Sequence, residues 1–98
     1  MPHYIVLANF TDDGVRSMRD LSTQIQAANK RLAAAGIKVQ RFFTLGQYDV
    51  VSLVEAPNDE AVAAETLVIG SHGHVRTTTL KAFTESEFLK LVERLPKA

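Results

Sequence analysis

The pattern of apolar and polar positions divides the chain into four short apolar runs, separated by amphipathic stretches. The first run, Tyr4 to Ala8, is apolar at consecutive positions and rich in β-branched residues. Such a run predicts a central strand that is buried on both faces. The runs 37–45, 48–55 and 75–82 predict three more strands. Gly46 and Gln47 join the second strand to the third in a tight turn, which is typical of a hairpin.

Two longer stretches predict helices between these strands. Thr11 is a suitable N-cap, and apolar residues then recur at steps of three and four until Gly36, which predicts one continuous helix of about six turns. Asn58 is the predicted N-cap of a second helix, which runs to about Ile69 and is ended by Gly70. The stripe of the first helix consists of Val15, Met18, Leu21, Ile25, Ala28, Leu32 and Ala35.

A third, shorter helix is predicted at the C-terminal end. Thr84 and Glu87 have the spacing of a capping box, and Phe83 and Phe88 have the spacing of a hydrophobic staple around it. Pro96 cannot continue the helix. Its predicted apolar stripe consists of Phe88, Leu91, Val92 and Leu95.

The order of elements is βαββαβ followed by the terminal helix, which predicts an α+β fold of the ferredoxin-like type. Right-handed crossovers then give a four-stranded antiparallel sheet of order 4-1-3-2, with both long helices on one face. The sequence has no repeats, low-complexity tracts or linkers. We therefore expect a single domain over residues 1–98.

The second face of this sheet has no predicted cover. Antiparallel sheets that face water alternate apolar and polar residues, whereas the first and third strands are apolar at both parities. We expect the uncovered face to pair with a second copy, giving a homodimer or a higher oligomer. The residues expected at that interface are Tyr48, Val50, Ser52 and Val54. Alternatively, the face is exposed or partly covered by the terminal helix.

Composition narrows the class of protein. The chain has 98 residues, of which 46% are hydrophobic, with eleven basic and eleven acidic side chains. This balance does not favour nucleic acid or an anionic membrane as a partner. No segment has the length of a bilayer span, and none resembles a signal peptide. The absence of cysteine excludes disulfides and thiolate metal sites, so we expect a cytoplasmic protein.

The segment Gly46-Gln47-Tyr48-Asp49 resembles the GYD domain family, which is named for a Gly, a Tyr and an Asp at this turn. The similarity spans nearly the whole chain and includes the end of the first strand near Asn9 and the segment 73–84. The resemblance implies a ferredoxin-like fold of the dimeric α/β-barrel type and no particular reaction. His74 departs from the family pattern, in which a small polar residue is common at this position.

A metal site is the first chemical possibility to consider. His72 and His74 form an H-x-H pair, and residues two apart on a strand point to the same side. The third histidine, His3, falls at the opposite end of the first strand in the predicted topology. We therefore expect loop or surface histidines, with no metal and no cofactor.

A ligand site at the dimer interface is the second possibility. His74, Arg76 and Thr78 share one parity of the fourth strand. If that parity faces the open side, they line an interface cavity in which Arg76 holds a carboxylate and His74 acts as a general acid or base. If Val75, Thr77 and Thr79 face the cavity instead, most of these candidate ligand residues lie outside it. The complete predicted ligand set is Asn9, Tyr48, Ser52, His74, Arg76 and Thr78, with His74 as the candidate catalytic residue.

The same residues also have structural interpretations. Tyr48 and Asp49 lie on opposite sides of the strand, so they cannot act together on one molecule. Asp49 can instead accept hydrogen bonds from a turn or a helix end, and Arg76 can pair with Glu55 or with Asp49.

Three functions fit the sequence. The first is a module that binds a small molecule in the dimer cavity. The second is a small cofactor-independent enzyme, of isomerase or monooxygenase type, that uses His74 and Arg76. The third is a purely structural or assembly protein. Whether the protein is an enzyme stays open at this level.

Overall fold

The computed structural model describes residues 1–97, and its secondary structure follows the predicted βαββαβ order. The fold class is α+β, as expected. The elements are β1 (His3–Phe10), α1 (Asp12–Arg16), a 3₁₀ turn (Met18–Asp20), α2 (Leu21–Ala34), β2 (Lys38–Phe43), β3 (Val50–Glu55), α3 (Asp59–Ser71), β4 (Val75–Ala82) and α4 (Glu85–Val92).

The four strands form one antiparallel sheet in the order β2-β3-β1-β4, which confirms the predicted topology. Val6 of β1 lies opposite Ser52 of β3 on one side and Thr79 of β4 on the other. Since side chains alternate between the faces of a strand, this register fixes which residues share a face.

The prediction of one continuous first helix is wrong. The chain leaves the helix at Ser17, whose hydroxyl donates to the carbonyl oxygen of Asp13 at 2.8 Å. Such local bonds from serine compete with helix continuation, and a 3₁₀ turn follows before α2 begins at Leu21. The end of α3 also differs: Gly70 lies inside the helix, which ends at Ser71.

The hydrophobic core is small and lies toward one end of the sheet. Leu32 near the end of α2 and Val62 near the start of α3 pack with the sheet there. Leu32 is the only buried residue of α2. The beginning of α2 therefore stands away from the sheet. The core cluster consists of Tyr4, Leu32, Ile37, Val54, Ala56 and Val62.

The face of the sheet away from the helices is open, but it is not the face that the sequence predicted. Val50, Ser52 and Val54 were expected on the open side, and all three are buried. The alternating pattern groups the residues of each face correctly, but the helices cover the face opposite to the one predicted. Both parities of β1 and β3 are apolar, so the pattern alone did not distinguish them.

The chain exposes more surface than a compact monomer of its size. Its accessible area is 7042 Å² for a mass of 10.8 kDa, whereas about 5,500 Å² is typical of a folded monomer of that mass. The radius of gyration is 15.7 Å, against about 13 Å for a compact domain of this length. The fold is therefore more extended and less buried than a compact domain of this length.

Helix α4 contributes to this excess. The predicted capping box is present: the Thr84 amide donates to Glu87 at 2.8 Å, and the Glu87 amide donates to the Thr84 hydroxyl at 3.1 Å. The helix nevertheless has no buried residue. Its amphipathic pattern thus has no partner of matching size among residues 1–97.

No helix within residues 1–97 is long and apolar enough to cross a membrane.

Candidate functional site

The open face of the sheet, defined by the side chains that point away from α2 and α3, is largely apolar. Ile5 of β1 lies between Leu53 of β3 and Leu80 of β4, and Leu7 lies beside Val51. Leu53 and Leu80 are 44% and 45% exposed. The apolar residues of the open face are Ile5, Leu7, Phe42, Val51, Leu53 and Leu80.

One end of the open face is polar and holds three of the predicted ligand residues. Asn9 lies directly opposite Arg76, and Thr78 is two residues along the same edge strand. All three are exposed. The Arg76 guanidinium, however, donates a hydrogen bond to the carbonyl oxygen of Gly70 at 3.2 Å. Arg76 therefore binds the last turn of α3 rather than Glu55 or Asp49, the carboxylates that the sequence suggested.

The other end of the open face is charged. The Nε2 atom of His3 lies 3.3 Å from a carboxylate oxygen of Glu55, and its Nδ1 atom lies 3.9 Å from Glu87 of α4. The open face is thus an apolar strip between two polar ends. This is the composition of an interface with a dry centre and a wet rim.

The remaining predicted ligand residues lie elsewhere. Ser52 points to the helix-covered side, together with Val75, Thr77 and Thr79. His74 precedes β4 and borders a groove on that same side. The predicted set is therefore divided between two faces of the sheet, and one ligand at the open face cannot contact all of it. The expectation of a single shared cavity is wrong in this respect.

Tyr48 and Asp49 belong to the turn between β2 and β3. The Asp49 carboxylate accepts a hydrogen bond from the Phe10 amide at 2.9 Å, and the Asp49 amide donates to the carbonyl oxygen of Ala8 at 2.9 Å. The Tyr48 carbonyl oxygen accepts from the Thr44 hydroxyl at 2.6 Å. Gly46 has φ of +113°, a conformation that favours glycine. The turn motif thus ties the hairpin to the end of β1.

The loop that carries the two neighbouring histidines is held by its backbone. The carbonyl oxygen of His74 accepts from the Thr11 amide at 3.0 Å, and that of Gly73 accepts from the Thr11 hydroxyl at 2.5 Å. Gly14 of α1 packs so closely that an added Cβ would collide with the His74 carbonyl oxygen. Sequence reasoning missed this contact, because it joins residues about sixty positions apart.

Metal binding gains no support from the geometry. Within residues 1–97, no three histidine or carboxylate side chains are grouped closely enough to hold an ion. His3 lies on β1 opposite Glu55, at the far end of that strand from His74. The site consists of the apolar face and its polar ends.

Two comparisons relate the sequence of this chain to known proteins. The family model described as the GYD domain matches residues 4–92. A relative from Thermus thermophilus is 35% identical over 91 residues, which cover 91% of this chain and 96% of the relative. That relative is named "Glutamine synthetase and cystathionine beta-lyase binding protein".

Proposed function

The chain belongs to the GYD domain family, and we propose that it is a binding module that works as a homodimer joined through its open sheet face. The apolar strip on that face carries the proposal. Leu53, Phe42 and Leu80 are each close to half exposed, and no element within residues 1–97 covers them. Burial of apolar surface contributes about 25 cal/mol of stabilising free energy for each Å². An exposed strip does not gain this free energy.

The open face by itself is small for a stable interface. Four strands about 4.8 Å apart, each of six to eight residues, present roughly 450 Å² in projection. A stable interface buries about 800 Å² on each partner. The apolar stripe of α4 has no partner among residues 1–97 of its own chain, so we assign it to the second copy.

A hollow on the open face gives α4 of the second copy a place to pack. It has a volume of about 440 Å³ and lies at the His3 end of the sheet, beside Phe83. Ile5 and Leu53 line its apolar part. Phe83 is 52% exposed at the point where β4 gives way to α4. Each α4 would then cover the hollow of the other copy at the His3 end of the paired sheets.

The partner of the dimer is inferred from the relative. A protein that shares 35% of its residues over nearly its full length with this chain is named for binding two enzymes. We propose that this chain likewise binds an enzyme of amino-acid metabolism and does so in the cytoplasm. The polar rims and the outer surfaces of α2 and α3 stay free for such a partner once the open faces are joined.

A ligand between the sheets and a catalytic role for His74 are less well supported. Of the predicted ligand residues, Asn9, Arg76 and Thr78 lie at the open face, and Arg76 is bonded to Gly70. His74 borders the opposite side of the sheet. A general base and an anion-binding residue must face one substrate to act together, and these two do not.

Binding to purified enzymes tests this function. The full chain is immobilised, and glutamine synthetase and cystathionine beta-lyase from the same organism are passed over it, with bovine serum albumin as a control. We expect saturable binding of at least one of the two enzymes. Absence of binding by both enzymes, with the protein folded and dimeric, would refute the proposed partner class and leave the dimer standing.

A further inference from the structure

A groove runs between the beginning of α2 and the covered face of the sheet, on the side away from the proposed dimer contact. Its volume is about 420 Å³. Sites for small molecules usually measure about 300–1,000 Å³. The groove is therefore large enough for a small organic ligand, and it is independent of the open face.

The floor of the groove is low because its central side chains are small. Ala8 of β1 lies between Val50 of β3 and Thr77 of β4, and Ser52 follows beside Val6. All five border the groove. Larger residues at positions 8 and 52 would fill the space under α2, so the hollow is a direct consequence of these two residues.

The roof of the groove is one stripe of α2. Leu21, Ile25 and Ala28 recur at helical spacing and face the floor. Leu32, farther along the helix, is buried against the core and anchors only that end. Apolar walls that do not touch lose dispersion contacts with each other. An apolar ligand between them would restore those contacts.

One wall of the groove carries a positive charge that its neighbours do not cancel. Arg31 pairs with Glu65 at 2.9 Å, and Arg41 lies near the same carboxylate without an ion pair of its own among residues 1–97. Arg41 instead donates to the Asn29 side chain at 2.9 Å. Both arginines border the groove, and Arg41 is the one of the two without an ion pair within residues 1–97. Asp20, the N-cap of α2, and His72 also border the groove.

Partial burial of the Arg41 guanidinium increases the stabilisation that a nearby anion would provide. The guanidinium is half-buried, and this loss of water lowers its pKa, while the charge of Glu65 raises it in part. A carboxylate from a ligand would take the planar, two-bond contact that guanidinium groups favour.

We propose that this groove binds a small molecule with an apolar body and a single carboxylate. The apolar body lies between α2 and the floor formed by Ala8, Val50 and Ser52. The carboxylate pairs with Arg41, next to the Arg31–Glu65 ion pair. The ligand class is therefore a compact amphipathic monocarboxylate.

Octanoate is a suitable probe, and octan-1-ol is its uncharged counterpart. Titration of the full chain is followed by heteronuclear NMR, so that each binding site is mapped by the amides that shift. We expect octanoate to shift the amides around Ala8, Val50 and Ala28, and to bind about tenfold more tightly than octan-1-ol. Equal affinity for both probes, or shifts confined to the open face, would overturn the proposal.

Two matched arginine variants locate the carboxylate. Arg41→Gln should weaken octanoate about tenfold and leave octan-1-ol unchanged. Arg94→Gln removes an exposed arginine that follows α4 and lies outside the groove lining, so it should change neither affinity. An Arg41→Gln protein that binds octanoate as tightly as the parent would refute the assigned role.

A third variant tests the space itself. Ala28→Leu adds volume to the roof without changing charge, so it should abolish octanoate binding while the protein stays folded. Leu53→Glu, on the open face, should bind octanoate normally even if the dimer is lost. These two variants separate failure of the groove from failure of the proposed dimer. Retained octanoate binding in Ala28→Leu would place the ligand outside the groove.

Discussion

At the residue scale, Asp49 and Tyr4 hold parts of the sheet through side-chain hydrogen bonds. Asp49 accepts from the Phe10 amide at 2.9 Å and so ties the β2–β3 turn to the end of β1. Tyr4 donates a short hydrogen bond to Asp59 in the first turn of α3. The sequence predicted a structural role for Asp49 with a turn or a helix end as its partner, whereas the donor is the last residue of β1. The bond from Tyr4 to Asp59 had no signal in the sequence, because the partners are 55 residues apart.

Replacement of Asp49 tests its structural role. Asp49→Ala leaves the Phe10 amide without its acceptor and should lower the free energy of unfolding by about 1–3 kcal/mol. Asp49→Asn keeps a side-chain oxygen at the same position and should lower the free energy of unfolding by clearly less. Urea denaturation of the three proteins measures the difference. Equal stability of the alanine variant and the parent would contradict this role.

Ionisation of Tyr4 gives a second prediction at this scale. The hydrogen bond to Asp59 is the main cause that raises the pKa of Tyr4 to about 12, with the charges of Asp59 and Glu60 adding to it. A tyrosine in the unfolded chain has a pKa near 10. The folded state thus favours the protonated hydroxyl, and the stability from this bond is complete below about pH 10 and lost as the pH rises through about 12.

An ultraviolet absorbance titration measures this ionisation. The chain has two tyrosines, and Tyr4→Phe removes the contribution of Tyr4 to the absorbance change. We expect the transition near 12 to disappear in the variant. Its persistence in Tyr4→Phe would show that the assignment is wrong.

At the scale of elements, the connection between α1 and the loop before β4 sets the local geometry. Gly14 touches the His74 backbone, and the Thr11 hydroxyl bonds Gly73 in the same loop. The capping box of α4 was predictable because its residues are three apart. The break at Ser17 was not, because the periodic apolar pattern continues across it and the contact at Gly14 comes from the other end of the chain.

Two glycine substitutions of the same kind should have opposite effects. Gly14→Ala places a Cβ against the His74 carbonyl oxygen at less than contact distance, so α1 must move, at a cost of about 1–3 kcal/mol. Gly70→Ala lies inside α3, and beyond the backbone of its own helix no atom lies within 4 Å of the added group. It should stabilise the protein by about 0.5–1 kcal/mol. Thermal denaturation compares them, and a neutral Gly14→Ala would contradict the packing described.

At the scale of the whole molecule, the sheet separates two surfaces with different chemistry. One face is an apolar strip with α4 beside it, and the other holds a small core and a groove under α2. The strand order followed from the sequence, since element order and right-handed crossovers restrict the topology. The side taken by the helices did not, since Val51 and Leu53 are as apolar as Val50 and Val54.

Sedimentation equilibrium of three proteins tests the central claim, that the open face joins two copies. The parent should have twice the 10.8 kDa mass of one chain. Leu53→Glu places a charge at the centre of the apolar strip and should sediment as a single chain. Leu67→Glu makes the same change on the outer surface of α3, where Leu67 is 74% exposed, and should remain dimeric. A parent that sediments as one chain, or a Leu53→Glu variant that stays dimeric, would contradict the account.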